Sequence, residues 1–211
     1  MVDFNLYLIT DRMQTAGRSL PAVVADALRG GLRAVQLREK DLSGCQLFEM
    51  ANELRSMTRM SGAKLLINDR IDIAQAVGAD GVHLGKAGIP VAIARRLLGS
   101  DMLIGYSAHG VEEALQAEQD GADFVTIGPV YATPSKAAFG EPVGLVPLAE
   151  AARSLKIPVF ALGGVKKMSI PEVLSAGAHG VALISAITAA GDPAAETETL
   201  LNCIKNHATS S

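Results

Sequence analysis

Gly31-Leu32-Arg33-Ala34-Val35-Gln36-Leu37-Arg38-Glu39-Lys40 holds the fold in miniature. A glycine closes a helical segment, a tight turn follows, and a short apolar run ends in alternating charge. Successive side chains of a strand point to opposite faces. Val35, Leu37 and Glu39 therefore share one face, and Gln36, Arg38 and Lys40 the other. If the apolar pair packs outward against helices, an amide and two cations rise inward from the strand end, as an anion receptor requires. Taken alone, the same charges read as solvated loop residues paired with Glu39, because charges are mostly exposed. The rest of the chain decides between the two.

The glycine turn recurs as Gly78-Ala79-Asp80-Gly81-Val82, Gly121-Ala122-Asp123-Phe124-Val125 and Gly177-Ala178-His179-Gly180-Val181. Each is a helix-ending glycine, then a turn, then a strand. Short apolar runs fall at 6–10, 34–37, 64–67, 81–84, 103–106, 124–127, 159–162 and 180–184, and the four turns precede every second run. Amphipathic segments at 19–29, 44–60, 89–98, 111–119, 145–155 and 169–175 lie between them. Strands alternating with helices imply parallel strands joined by crossover helices. Eight such units predict an α/β protein with a single (β/α)8 barrel over 1–211, the tail 207–211 being frayed. A doubly wound open sheet is the alternative.

The bulk numbers fit one compact soluble domain: 49% of residues are hydrophobic, 19% are charged and the formal net charge is -3. Mild acidity, with no basic run and no aromatic platform, argues against a nucleic-acid partner. No apolar run reaches membrane-spanning length. The start, Met1-Val2-Asp3-Phe4-Asn5, has neither a basic opening nor an apolar signal core. Cys45 and Cys203 fit no metal-ligand pattern and read as thiols of a reducing compartment. The expectation is a cytoplasmic protein, with a homodimer possible.

In such a barrel the chemistry gathers at the C-terminal strand ends. These ends present Asp11 and Arg12; Gln36, Arg38 and Lys40; Asn68, Asp69 and Arg70; His83, Lys86 and Gly88; Ser107 and His109. They continue with the long connection 128–136, then Gly163-Gly164-Val165, then Ile184-Ser185-Ala186-Ile187. The last two predict a phosphate site. A Gly-Gly turn lets backbone approach a ligand, and a small residue ahead of a helix exposes amide donors. The alternative is that Gly163 and Gly164 only make a tight turn. Arg38, Lys40 and Lys136, with hydroxyls from Ser107, Thr133 and Ser135, predict a second anion site. Like charges from separate loops repel in a dry cleft unless an anion holds them. Two phosphorylated reactants, or one with two phosphoryl ends, would fit. Asp69 suits either an ion pair with Arg70 or Arg38, or Mg²⁺ held against a pyrophosphate. His83 and His109 are candidate bases, or packed histidines.

In chain order, Leu6-Tyr7-Leu8-Ile9-Thr10-Asp11-Arg12, Gln36-Leu37-Arg38-Glu39-Lys40, Ile67-Asn68-Asp69, Gly81-Val82-His83-Leu84-Gly85 and Gly105-Tyr106-Ser107-Ala108-His109 are followed by Gly128-Pro129-Val130-Tyr131, Thr133-Pro134-Ser135-Lys136, Gly163-Gly164 and Ile184-Ser185-Ala186-Ile187. This series resembles the thiamin phosphate synthases (thiamin phosphate pyrophosphorylases) and their thiazole tautomerase relatives over nearly the whole chain. The resemblance implies a transferase that joins hydroxymethylpyrimidine diphosphate to thiazole phosphate and releases pyrophosphate. It implies that Gln36, Arg38, Lys40, Asn68, Ser107, Thr133, Ser135 and Lys136 surround the pyrimidine diphosphate. It further implies that Asp69 binds Mg²⁺, and that Gly164, Ile184 and Ser185 hold the thiazole phosphate. The implied reaction is dissociative and needs no general base; Arg38, Lys40 and Lys136 would stabilise the leaving group. One departure stands out. Where the family has a Gln-Glu-Asp run whose Asp is a second metal ligand, this chain has Lys86-Ala87-Gly88. Tautomerase relatives also lack that carboxylate, but carry a catalytic His where this chain has Pro129. A thiazole phosphate tautomerase and a non-catalytic binder of thiamin phosphate are the alternatives.

Overall fold

Eight short parallel strands alternate with helices and close on themselves in a computed structural model that describes residues 2–133 and 141–210, with side chains to 207. The strands are β1 (Leu6–Ile9), β2 (Ala34–Leu37), β3 (Lys64–Asn68), β4 (Gly81–Leu84), β5 (Leu103–Ala108), β6 (Phe124–Ile127), β7 (Val159–Leu162) and β8 (Gly180–Leu183). They pair in sequence order, and β8 returns to β1 with Leu6 opposite Val181, so the sheet has no edge. This is the (β/α)8 barrel expected, and closure excludes the open sheet. No helix among the described residues is long and apolar enough to cross a membrane.

The outer layer comprises α1 (Leu20–Arg29), α2 (Gly44–Ser61), α3 (Ile71–Val77), α4 (Val91–Leu98), α5 (Val111–Gln119), α6 (Leu145–Ser154), α7 (Ile170–Ser175), α8 (Ser185–Thr188) and α9 (Pro193–Ser210). Local chemistry sets their ends. Ser43 and Gln46 make a reciprocal capping box at the start of α2. The four repeated glycines, Gly31, Gly78, Gly121 and Gly177, all have φ between 60° and 98°. At each, the glycine amide bonds three residues back and the next amide five residues back, as Leu32 N–H does to the Ala27 carbonyl. This paired bonding satisfies the last helical carbonyls and turns the chain into the next strand. Short α3 and α8, and the long α9, were not expected from periodicity. Helix α9 continues through Ser210, where fraying from 207 was anticipated.

Strand alternation separates two cores. Leu6, Leu8, Val35, Leu37, Leu65, Ile67, Val82 and Leu84 face outward onto the helices. Phe4, Tyr7, Leu66, Leu103, Phe124 and Phe160 fill the barrel interior. Phe4, Phe124 and Phe160 lie 5.4–5.6 Å apart between ring centroids and plug its lower half. Further along β2 to β6 the inward residues are polar, Gln36, Asn68, His83, Ser107 and Thr126, and they lead to the C-terminal mouth, while Ile9, Leu162 and Ile184 keep the β1, β7 and β8 side apolar.

Candidate active site

The β2 alternation places Gln36 inside the barrel, almost wholly buried. Its amide donates to the Tyr7 hydroxyl at 3.1 Å. Tyr7 lies 3.3 Å from Nδ1 of His83, and His83 Nε2 lies 2.9 Å from Ser107 Oγ. Thr126 Oγ1 donates to Ser107 at 3.3 Å. One polar chain thus crosses β2, β1, β4, β5 and β6 above the aromatic plug. His83 is fully buried, and burial, followed by the nearby Arg38 cation, pushes its pKa down to about 3. Its ring is neutral and engaged on both nitrogens, which makes it a packed histidine rather than a solvent-facing base. His109 sits on the rim, where its amide and ring meet Glu113 on α5.

Arg38 leaves the end of β2, half-buried, with its amide held by Thr10 Oγ1 at 2.9 Å. Glu39 does not pair with it. That buried carboxylate accepts from Thr10 Oγ1 and from the backbone and guanidinium of Arg12. Arg12 also binds Asp41. Among the described residues no carboxylate lies within ion-pair distance of Arg38, whose charge is felt instead at His83. Lys40 is exposed on the turn beyond, also without an ion-pair partner among the described residues. Ser135 and Lys136 lie outside the described residues. Thr133 closes the described part of the β6 loop and is partly buried.

Asp69, just past the end of β3, has a left-handed conformation, φ 57°, which a non-glycine residue seldom adopts. Its amide donates to the His83 carbonyl at 3.0 Å. Its carboxylate accepts from Asn68 Nδ2 at 2.8 Å and from the Gly85 amide at 3.1 Å. Neither expected ion pair forms: Arg70 binds Asp72, and among the described residues no cation reaches Asp69. Gly88 lies against this carboxylate, since a Cβ there would stand 2.6 Å from Asp69 Oδ1. Lys86 pairs with Glu113 at 3.4 Å rather than with Asp69. Among the described residues no group of three or more His, Cys, Asp or Glu is placed to hold a metal.

On the far side, Gly163 and Gly164 have φ of 90° and 66°. A side chain at 164 would strike Tyr131 Cβ and carbonyl at 2.7 Å. The glycines are thus needed for the β6 and β7 loops to touch, and the Tyr131 amide bonds the Gly163 carbonyl at 3.0 Å. The close approach leaves the Gly164 and Val165 amides without acceptors among the described residues. Ile184 and exposed Ser185 begin α8 on the neighbouring strand.

Residues 6–187 match the family model described as thiamine monophosphate synthase. The chain belongs to this family. It is 62% identical over 200 residues to a putative thiamine-phosphate synthase of Geobacter sulfurreducens, covering 95% of this chain and 94% of that protein. It is 46% identical to the thiamine-phosphate synthase of Chloroflexus aurantiacus, with 95% and 92% covered. Among solved structures, the thiamine phosphate pyrophosphorylase from Pyrococcus furiosus superposes with a TM-score of 0.87 at 38% identity, covering 96% of each chain.

Against this family background, the residues that sequence reading missed are Tyr7 and Thr126. Both lie at inward positions of the alternation. Tyr7 enters the sequence reading only within the first strand's motif and has no role there, and Thr126 became visible only through its register opposite Ser107. The Arg12–Glu39 clamp was missed as well, because parity alone sent Glu39 outward.

Proposed function

We propose that this chain is a thiamine-phosphate synthase that joins hydroxymethylpyrimidine diphosphate and hydroxyethylthiazole phosphate. The observation that carries the proposal is Arg38. A half-buried guanidinium at the barrel mouth, left by Glu39 to itself among the described residues, is built to meet an incoming anion. The C–O bond between the pyrimidine methylene carbon and the diphosphate breaks, and its electron pair leaves on oxygen. The thiazole nitrogen then gives its lone pair to the methylene cation, forming the C–N bond. No proton moves, which agrees with a His83 held neutral by burial and a His109 occupied by Glu113.

Arg38 stabilises the departing diphosphate together with Lys40 and Lys136, while Asn68, Ser107, Thr133, Ser135 and Gln36 position the pyrimidine diphosphate. The amides around Gly164, with Ile184 and Ser185, take the thiazole phosphate. The residues fit Mg²⁺ as a one-carboxylate site: Asp69 has a spare lone pair on each oxygen, and substrate phosphate oxygens complete such shells. Mg²⁺ bound there supplies positive charge to the leaving diphosphate. With Gly88 in place, Asp69 is its one protein carboxylate among the described residues.

The test is turnover. Purified chain, both substrates and millimolar Mg²⁺ should yield thiamin phosphate and pyrophosphate in equal amounts. No product under those conditions would overturn the proposal.

A further inference from the structure

The five-residue polar chain in the barrel has a direction, and the direction can be worked out from donors and acceptors. Gln36 gives an N–H to the Tyr7 oxygen. Tyr7 must then place its own proton, and His83 Nδ1 is the acceptor within reach among the described residues. A neutral imidazole that accepts at one nitrogen donates from the other. Nε2–H therefore points at Ser107 Oγ, 2.9 Å away. Thr126 is fully buried, and Ser107 is the partner its hydroxyl meets. A buried hydroxyl hydrogen left unpaired is costly, so Thr126 donates as well. Both lone pairs of Ser107 are then filled, and its single proton has no acceptor among the described residues. Tyr7, Gln36, His83 and Thr126 are each at most 1% exposed, whereas Ser107 is partly open to the mouth.

We propose that His83 is a positioning residue that fixes Ser107 as a pure hydrogen-bond donor, so that Ser107 selects a substrate atom with a free lone pair. The inference rests on the synthase reading for the identity of that substrate. The acceptor is either a diphosphate oxygen or a pyrimidine ring nitrogen; both are anionic or lone-pair atoms that a donor recognises. A protonated ring edge, presenting an N–H, would be met without repulsion only by an acceptor, which Ser107 cannot be while His83 and Thr126 fill its lone pairs.

Two measurements test this. Nitrogen NMR of the ¹⁵N-histidine-labelled protein, without substrate, should show the His83 proton on Nε2; a proton on Nδ1 would overturn the proposal whatever the enzyme's activity. That arm does not depend on the synthase reading, which fails only if the wild type gives no thiamin phosphate. In the second, Tyr7→Phe removes the donor to Nδ1 with little change of shape. It should lower kcat/KM for the pyrimidine diphosphate on the order of tenfold, as one lost hydrogen bond does, and populate both tautomers. Ser107→Ala should lower it at least as far, and Ser107→Thr should recover part of the loss. The double variant Tyr7→Phe/Ser107→Ala should be no worse than Ser107→Ala alone; additive losses would overturn the relay. Weakened inorganic pyrophosphate binding by Ser107→Ala would assign the acceptor to a diphosphate oxygen, and unchanged binding with reduced kcat/KM to the ring.

Discussion

The lower and upper halves of the barrel interior are built by the same strands, two residues apart. Phe124 lies in the plug and Thr126 in the polar chain; Leu66 is below and Asn68 above; Ala34 gives way to Gln36, and then to Arg38 at the strand end. A two-residue step keeps the side chain inward and moves it roughly 7 Å up the axis. Below, rings in edge contact exclude water and stabilise the closed sheet. Above, the same walls carry groups whose hydrogen bonds run out at the mouth. Height along a strand, rather than which strand, divides stability from chemistry.

The sharpest way to break this division is to cut the plug. Phe124→Ala should cost about 3–5 kcal/mol of unfolding free energy in denaturant titration, while the fraction still folded keeps its kcat. A loss of kcat in folded protein would mean that the plug also shapes the site. Next come the two arginines at neighbouring strand ends. Arg38→Ala should lower kcat/KM by about 3 kcal/mol of transition-state stabilisation, roughly 150-fold, with the denaturation midpoint nearly unmoved. Arg12→Ala should do the reverse. It takes the guanidinium donor from buried Glu39, which keeps the residue-12 amide and the Thr10 hydroxyl; that costs about 1–3 kcal/mol of stability, and activity should fall only as folding does.

His83 gives an effect that vanishes at neutral pH and appears only in acid, with a definite sign. Its folded pKa of about 3 lies below the ordinary 6.5, so the unfolded chain binds the extra proton between those values. Stability is full above pH 6.5 and falls as pH drops toward 3, by up to about 1.4 kcal/mol per pH unit from this group. A His83→Gln variant should lose that part of the slope in acid unfolding, whereas an unchanged slope would assign the acid sensitivity to other groups. The least effect is expected at Gly88. A carboxylate there would crowd Asp69, so Gly88→Asp should lower Tm without Mg²⁺ and recover it with Mg²⁺ to a greater extent than the wild type. An equal response to Mg²⁺ in both proteins would separate position 88 from the metal.

Much of the barrel was legible because its signals are local. The glycine turns before β2, β4, β6 and β8 announce where helices stop, and apolar alternation marks Val35 and Leu37 as outward-facing. The β2, β4, β6 and β7 boundaries follow directly from those runs. Helices α3 and α8 are too short to show a period, and α9 interrupts its apolar residues with Glu, Thr, Asn and Lys positions. In the site, parity placed Gln36 inside. It misjudged Glu39, because β2 ends at Leu37 and alternation holds only within a strand. The Tyr7–His83–Ser107 relay was illegible for a different reason. It joins residues up to 100 positions apart, and only barrel closure and register bring them together.

The central claim is that Arg38 stands unpaired to receive a diphosphate. Calorimetric titration of inorganic pyrophosphate with Mg²⁺ into wild type, Arg38→Ala and Arg12→Ala tests it most directly. Arg38→Ala should weaken binding at least tenfold, and folded Arg12→Ala should bind as wild type does. Equal affinity in wild type and Arg38→Ala would contradict the account.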